Sequence, residues 1–547
     1  MSFSVRSLLG YFDRPRQRPK VRTTRRHRAR PVFETLEDRS LLSITFSGAG
    51  NTGMCTITGT AAADQFVIRM EQVGSPNIQF SDNNGQTFTN AVLANITSVE
   101  VDGLAGPDRL IIDFSNGIFG KTTAAFPITF NGGSGFNRLV IPAGLPTGQG
   151  NITESFFTGS SFGNGELAIS NGLVTTSVVV NQVGNIIDEV PAASLEIFAS
   201  DQNSLINIGF GQSSSGGITT NTVRGLDYRF IDLNGAQRTD QGFAGDPAIT
   251  DTDPAGDPVA DNSLVLSQTH GFIPITFANK GTLIVDGQGG NDLFVVNVFN
   301  AATGLTAVTI DGGSTGTDVV ASRRVPTSVT LTTQNVAETI TDAGAIYINL
   351  LYASRLARLP EAGAVAAWEN FLSTAGAPAV AQAIEQAPEA RTLFVTHLYE
   401  SILGRDPMGS EAQGWIAFLL GGGSELTVLQ DFYASPEFFG RAQTLVSTGT
   451  QNERFVSALY QVALGRVPAD SEVAAWAQVL PTLGAAAIVQ DFIASSEFRM
   501  NFVTTLYILV LHRFPDQGGL TGWVNSSFTP EQIRIDILGS GEALGNW

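Results

Sequence analysis

The residues of this chain best suited to chemistry are carboxylates set among glycines. In the stretch 246–261, Asp251, Asp253, Gly256 and Asp257 follow the first half of an Asp-x-Asp-x-x-Gly loop, where alternating oxygens surround one calcium ion and glycine allows the sharp turn. The position where a closing bidentate acid is expected is Asn262, so the plainer reading of this stretch is a solvated insertion loop. Asp292 and Asp318 each stand between a glycine cluster and an apolar run, and on adjacent coils of a solenoid they would share a cation. Asp251, Asp253, Asp257, Asp292 and Asp318 are therefore the candidate metal ligands. Calcium, held weakly and structurally, is the one cofactor they suggest.

Groups for covalent or acid–base catalysis are sparse. The histidines His27, His270, His397 and His512 stand in no metal-spaced motif, and there is no Gly-x-Ser-x-Gly elbow, phosphate loop or dinucleotide fingerprint. The single cysteine, Cys55, reads as a small core residue. Between residues 110 and 320 the basic side chains are Lys121, Arg138, Arg224, Arg229, Arg238 and Lys280, with no evident cluster. These observations favour a noncatalytic protein. The alternative, a β-helix carbohydrate-active lyase or hydrolase, requires carboxylates and a basic side chain gathered on neighbouring coils.

The elements that must position these residues differ along the chain. The 547 residues include 59 Gly and only 15% charged residues, a profile of glycine-turned strands rather than disorder. The net charge of −19 is uneven: residues 1–40 carry eleven Lys/Arg against four acids, leaving about −26 on the remainder. Such a body repels nucleic acid. No apolar run is long enough to cross a membrane. Three parts result: a basic segment 1–45, an all-β part 46–342 and a helical part 343–547.

In the β part, Asp or Asn followed by an apolar run recurs at Asp64, Asp108, Asn137, Asn171, Asn203, Asn262, Asp292 and Asp318, at intervals of 44, 29, 34, 32, 59, 30 and 26. Most lie near the length of one coil of a right-handed parallel β-helix, the favoured fold, with a β-sandwich as the alternative. The glycine corners before Asp108, Asn137 and Asp292 resemble the Gly-Gly-x-Gly-x-Asp-x-Leu nonapeptide of the calcium-binding RTX family. That resemblance implies ions enclosed between consecutive turns. The copies here are isolated, which favours tight coil corners over complete calcium cages.

The helical part repeats Leu-Tyr-x3-Leu-x-Arg-x-Pro-x7-Trp four times, as Leu351 to Trp368, Leu398 to Trp415, Leu459 to Trp476 and Leu506 to Trp523. Four units follow, at about 343–390, 391–440, 452–499 and 500–547. The Leu-Tyr-x3-Leu segment reads as one helical face, Pro stops it, and Ser435 and Ser495 are caps for later helices. Tyr and Trp read as core residues that fix the helix crossings. Arg358, Arg405, Arg466 and Arg513 read as partners of carboxylates or of helix C-termini. Units one and four are irregular, as terminal caps of an array would be.

These units resemble the bacterial domain of unknown function 4214 family, itself similar to phycobilisome-linker repeats, through Leu403-Gly404-Arg405-Asp406-Pro407 and Leu464-Gly465-Arg466-Val467-Pro468. The resemblance implies an extracellular, noncatalytic module. The segment 36–42, Leu-Glu-Asp-Arg-Ser-Leu-Leu behind an Arg-rich head, resembles the Leu-Glu-Pro-Arg-x-Leu-Leu segment of large exported bacterial proteins, with Asp38 in place of the Pro. It implies export. The expected protein is thus a structural or adhesive component of the cell surface or extracellular space, with cell-envelope proteins or polysaccharide as partners, and neither nucleic acid nor a membrane span.

Overall fold

The computed structural model describes residues 42–547 apart from 123, 160–162, 211–217, 228–237, 240–263, 266–271, 512–514 and 547. The head to residue 41 and the stretch bearing Asp251, Asp253 and Asp257 lie outside the described residues.

From Ser43–Gly48 to Glu338–Ile340 the secondary structure is strands in two large mixed sheets, apart from the short pair Arg238–Thr239 and Leu264–Val265 and a single 3-10 turn at Leu93–Asn95. Successive strands alternate between the sheets: Thr52–Thr58 belongs to one, Gln65–Met70 to the other, and Ile96–Asp102, Arg109–Asp113, Phe126–Asn131 and Arg138–Ile141 continue in turn. Within each sheet these strands pair in parallel, so equivalent residues form columns. Cys55, Val99, Ile128 and Val178 are in register in one sheet, and Phe66, Leu110, Leu139, Ile186 and Ile275 in the other. All nine are buried in one core shared by both sheets. An apolar side chain at every second strand position produces this pattern, because alternate residues face the same side.

Antiparallel pairs interrupt the parallel order. Asn77–Ser81 and Thr89–Val92 extend one edge beyond Gln65–Met70, and they account for the long interval between Asp64 and Asp108. The strands Gly165–Ser170 and Thr175–Asn181 form a hairpin whose turn contains Asn171. Asn171 Oδ1 accepts from the N–H groups of Leu173 and Val174 at 3.0 and 2.9 Å, and Leu173 is exposed. Asn171 is therefore a hairpin residue, not a coil corner.

Asp342 ends the strands and starts the helices, its carboxylate accepting from the N–H groups of Gly344 and Ala345 at 2.8 and 3.1 Å. Each helical unit has a long first helix carrying Leu-Tyr, a second carrying Trp, and a short third. The units are Ala343–Leu356, Ala364–Ala375 and Ala377–Glu385; Pro388–Leu398 continuing as Tyr399–Leu403, then Glu411–Leu420 and Glu425–Tyr433; Pro436–Leu445 with Gln451–Ala463, then Asp470–Leu483 and Ala485–Ile493; and Ser496–Leu511, Gln517–Val524 and Pro530–Leu538. In the third unit the inserted linker splits the first helix, and Thr450 with Glu453 recaps its second piece. Ser435 and Ser495 cap the helices that follow them.

The four units do not form a linear array. Units two and three share one core. Units one and four share another, together with Leu293, Val295, Val319, Ala321 and Ile340 of the β part. Tyr347 donates its hydroxyl to the carbonyl of Leu538 at 3.1 Å, linking first unit to last. The expectation of capping ends with one neighbour each is corrected: the irregular outer units pack on one another and on the strands.

Candidate functional site

Among the described residues, polar side chains assemble along the strand corners, within the repeated helical motif and between the helical units, each with a different geometry. The first is the column of corner residues in the β part. The N–H of Asp64 donates to Asp108 Oδ1 at 2.9 Å, and that of Asp108 to Asn137 Oδ1 at 2.9 Å. At the other end, Ser204 N–H donates to Asp292 Oδ1 and Asp292 N–H to Asp318 Oδ1, each at 2.8 Å. Each corner side chain thus caps the backbone of the corner before the neighbouring parallel strand. Glycine precedes these corners for a steric reason: a Cβ on Gly287 or Gly312 would lie 2.5 Å from Oδ2 of Asp292 or Asp318.

Asp292 and Asp318 precede neighbouring parallel strands, Leu293–Val296 and Val319–Ser322, and the bond between them runs from backbone to carboxylate. Among the described residues, no three His, Cys, Asp or Glu side chains converge as a metal site. Burial pushes the Asp108 carboxyl up to about 8, against the effect of its hydrogen bond from Asp64. Burial also raises Asp318. Cys55 is a buried core thiol, pushed up to about 12 by desolvation.

The second assembly is the repeated motif of the helical part. Arg358 binds Glu389 and Glu361, both at 2.7 Å. Arg405 binds Glu411 and Glu437 at 2.7 and 2.5 Å. Arg466 binds Glu472 at 2.7 Å and Glu497 more closely still. Each guanidinium also lies over its unit's tyrosine, at 5.0 Å from Tyr352, 5.0 Å from Tyr399 and 4.5 Å from Tyr460. Trp368 Nε1 donates to the Tyr352 hydroxyl at 2.8 Å, and Trp523 repeats the bond to Tyr507 at 3.1 Å. In the middle units Phe432 and Phe492 contact both the tyrosine and the tryptophan rings.

The motif therefore builds a clamp: Pro turns the chain, Arg ties the turn to the first turn of the following unit's first helix, and Trp holds Tyr from the side. The four tryptophans are half-buried at the edge of the cores rather than inside them. The carboxylate partners escaped the motif reading, although Glu389, Glu437 and Glu497 follow their arginines by 31, 32 and 31 residues. That regular spacing is the signal for them. Arg513 lies outside the described residues.

The third assembly is a chain of alternating buried charges across three units. Arg355 pairs with Glu385, Glu385 with Arg534 at 3.0 Å, Arg534 with Glu425 at 2.8 Å, Glu425 with Arg391, and Arg391 with Glu531 at 2.5 Å. Burial opposes the charge of Glu385, but Arg355 and Arg534 outweigh it and hold the carboxyl at about 2. Glu425 is raised by burial and by Glu531 and Glu385, against the pull of Arg534. A shallow pocket opens over this chain between Phe394, Glu425, Phe502 and Arg534.

Chemically these three assemblies cap, clamp and align. No helix among the described residues is long and apolar enough to cross a membrane. No curated protein matches the chain. Residues 389–442 and 440–502 match the family described as Domain of unknown function (DUF4214), so the middle of the helical part is similar to that family.

Proposed function

We propose that this chain is a noncatalytic, exported structural or adhesive protein of the cell surface or extracellular space, whose helical units contact cell-envelope proteins or polysaccharide. In this reading the β part is a two-sheet solenoid, each coil contributing one strand to each sheet. The carrying observation is that the repeated polar side chains are engaged by groups of the chain itself: corner side chains cap neighbouring coils, and the repeated arginines bind two carboxylates each. Repetition of such contacts sets the shape of a scaffold, and a catalytic centre has no need of it. The basic head with its segment 36–42 supports export. Any calcium would be bound weakly, at Asp292 and Asp318 or at Asp251, Asp253 and Asp257.

Fractionation and surface labelling of the native cell test this reading. The protein is expected in the surface or extracellular fraction, and removal of residues 1–45 is expected to strand a folded body in the cytoplasm. Full-length protein confined to the cytoplasm would overturn the proposal.

A further inference from the structure

Inside the β part, three ionisable side chains meet in surroundings that exclude water. Lys280 Nζ lies 2.6 Å from Glu154 Oε2 and 2.8 Å from Asp188 Oδ1, and all three side chains are 0% exposed. Its remaining contact is the carbonyl of Val190 at 2.7 Å. The neighbours in the ladders are apolar: Asp188 stands between Ile141 and Phe277, and Glu154 is in register with Leu195, all three of them fully buried. Lys280 opens the strand Lys280–Asp286 of one sheet, whereas Asp188 closes Asn185–Asp188 of the other. The two are 92 residues apart in sequence.

With all three groups ionised, this site would bury a net negative charge, which is costly in a low-dielectric interior. Besides Lys280, Glu154 and Asp188 have oxygens that accept from no donor, and the two carboxyls adjoin one another. A proton shared between the carboxyls satisfies these atoms and makes the triad neutral. Glu154 is the group raised well above the ordinary carboxylate range, by burial first and by Asp188 next. Burial works against the Lys280 ammonium, and the two carboxyls outweigh it.

We propose that Lys280 and Asp188 join in an intramolecular isopeptide bond, with Glu154 as the acid–base partner. The triad begins as ammonium, carboxylate and carboxylic acid. Internal transfer of one proton from Lys280 to Asp188 gives a neutral amine beside two carboxylic acids, with no proton gained or lost. Lys280 Nζ then attacks Asp188 Cγ while the Glu154 acid donates to the developing oxyanion. Glu154 relays a proton from the nitrogen to the departing hydroxyl, the C–O bond breaks and one water leaves, and as the carbonyl re-forms the remaining hydroxyl returns its proton to Glu154. The products are a secondary amide joining the sheets and Glu154 again as the acid. The absence of water and the fixed contact of the reacting groups favour condensation, which is uphill for free amine and acid in solution.

The test is the intact mass of the full chain in denaturant, followed by proteolysis and fragmentation of linked peptides. Wild-type protein is expected to be lighter than its sequence by one water, with a branched peptide joining Asp188 to Lys280. Dehydration of an aspartate elsewhere would change the mass equally but give no branched peptide, and that result overturns the proposal, as does a wild-type mass equal to the unmodified sequence. A branch from Lys280 to Glu154 would overturn the assigned roles. Glu154→Gln, checked for native circular dichroism, is expected to remain unlinked; linkage as complete as in wild type would remove Glu154 from the reaction. Lys280→Met supplies the unlinked mass standard.

Discussion

The backbone N–H of Asp292 donates to the carboxylate of Asp318 at 2.8 Å, so the corner before one strand is capped by the side chain of the next corner. Asn137 does the same for Asp108 with an amide oxygen. The task requires an acceptor, not a charge. Asp318→Asn should therefore change stability by less than about 1 kcal/mol, whereas Asp318→Ala, which leaves a buried N–H unpaired, should cost about 1–3 kcal/mol. Denaturant unfolding of the two variants separates the cases; equal losses would mean that the charge itself matters.

Asp108 supplies a pH dependence of known sign. Its folded-state carboxyl is raised to about 8 from an ordinary value of 3.8, chiefly by burial. Between those values the folded protein holds a proton that the unfolded chain releases, so this group's contribution makes stability fall as pH rises from about 4 to about 8. Asp108→Asn should flatten the profile in that window and stabilise the protein most near pH 8. Stability curves that remain parallel for wild type and variant would contradict the assignment.

The tyrosines and tryptophans of the helical part behave differently. Tyr352, Tyr399, Tyr460 and Tyr507 are core residues, whereas their tryptophans are only partly covered. Trp415→Ala and Trp476→Ala should consequently cost about 1–3 kcal/mol, less than the 3–5 kcal/mol of a fully buried aromatic. Because units one and four share a core, Trp368→Ala and Trp523→Ala should cost as much as the inner pair. Unfolding monitored by helical circular dichroism checks both points, and outer variants that behave like wild type would restore the picture of free chain ends.

Local regularity made much of this fold legible, and contacts distant in sequence hid the rest. The helical units announce themselves through six fixed positions, and the corners at Asp64, Asp108, Asn137, Asp292 and Asp318 through a glycine and an apolar run on either side. Asn171 misleads because a hairpin turn also places Asn-Gly before an apolar run. The packing of unit one on unit four leaves no local mark, since Tyr347 and Leu538 are 191 residues apart. The Lys280 triad is hidden for the same reason: its members come from three strands and no short window contains two of them.

The Arg466 clamp predicts an acid transition. Arg466 first, through its hydrogen bond, holds the Glu472 carboxyl at about 2, below its ordinary 4.5. A depressed carboxyl contributes stability that is fully present above about pH 4.5 and disappears as pH falls through about 2. Both partners are about one-third exposed, so solvent screening limits the pair to about 0.5–1 kcal/mol. Arg466→Ala should lose that amount at neutral pH and none at pH 2. A loss independent of pH would assign the role of Arg466 to its stacking on Tyr460.

Arg534 is the severest test of the helical architecture, because it lies at the centre of the buried charge chain and is only 1% exposed. Among the described residues it alone contacts both Glu385 of unit one and Glu425 of unit two, at 3.0 and 2.8 Å. Arg534→Ala leaves Glu385 with Arg355 alone and Glu425 with Arg391 alone, and breaking such buried pairs typically costs about 3–5 kcal/mol. The loss should be greatest at neutral pH and shrink on acidification, since the Glu385 carboxyl that Arg355 and Arg534 hold at about 2 must otherwise take up a proton. Arg534→Met with Glu385→Gln, which removes a charge of each sign, should recover part of the stability. If Arg534→Ala alone proves nearly neutral at pH 7, the charge chain does not hold units one, two and four together, and the apolar core around Ile346, Val503 and Leu506 carries that seam unaided.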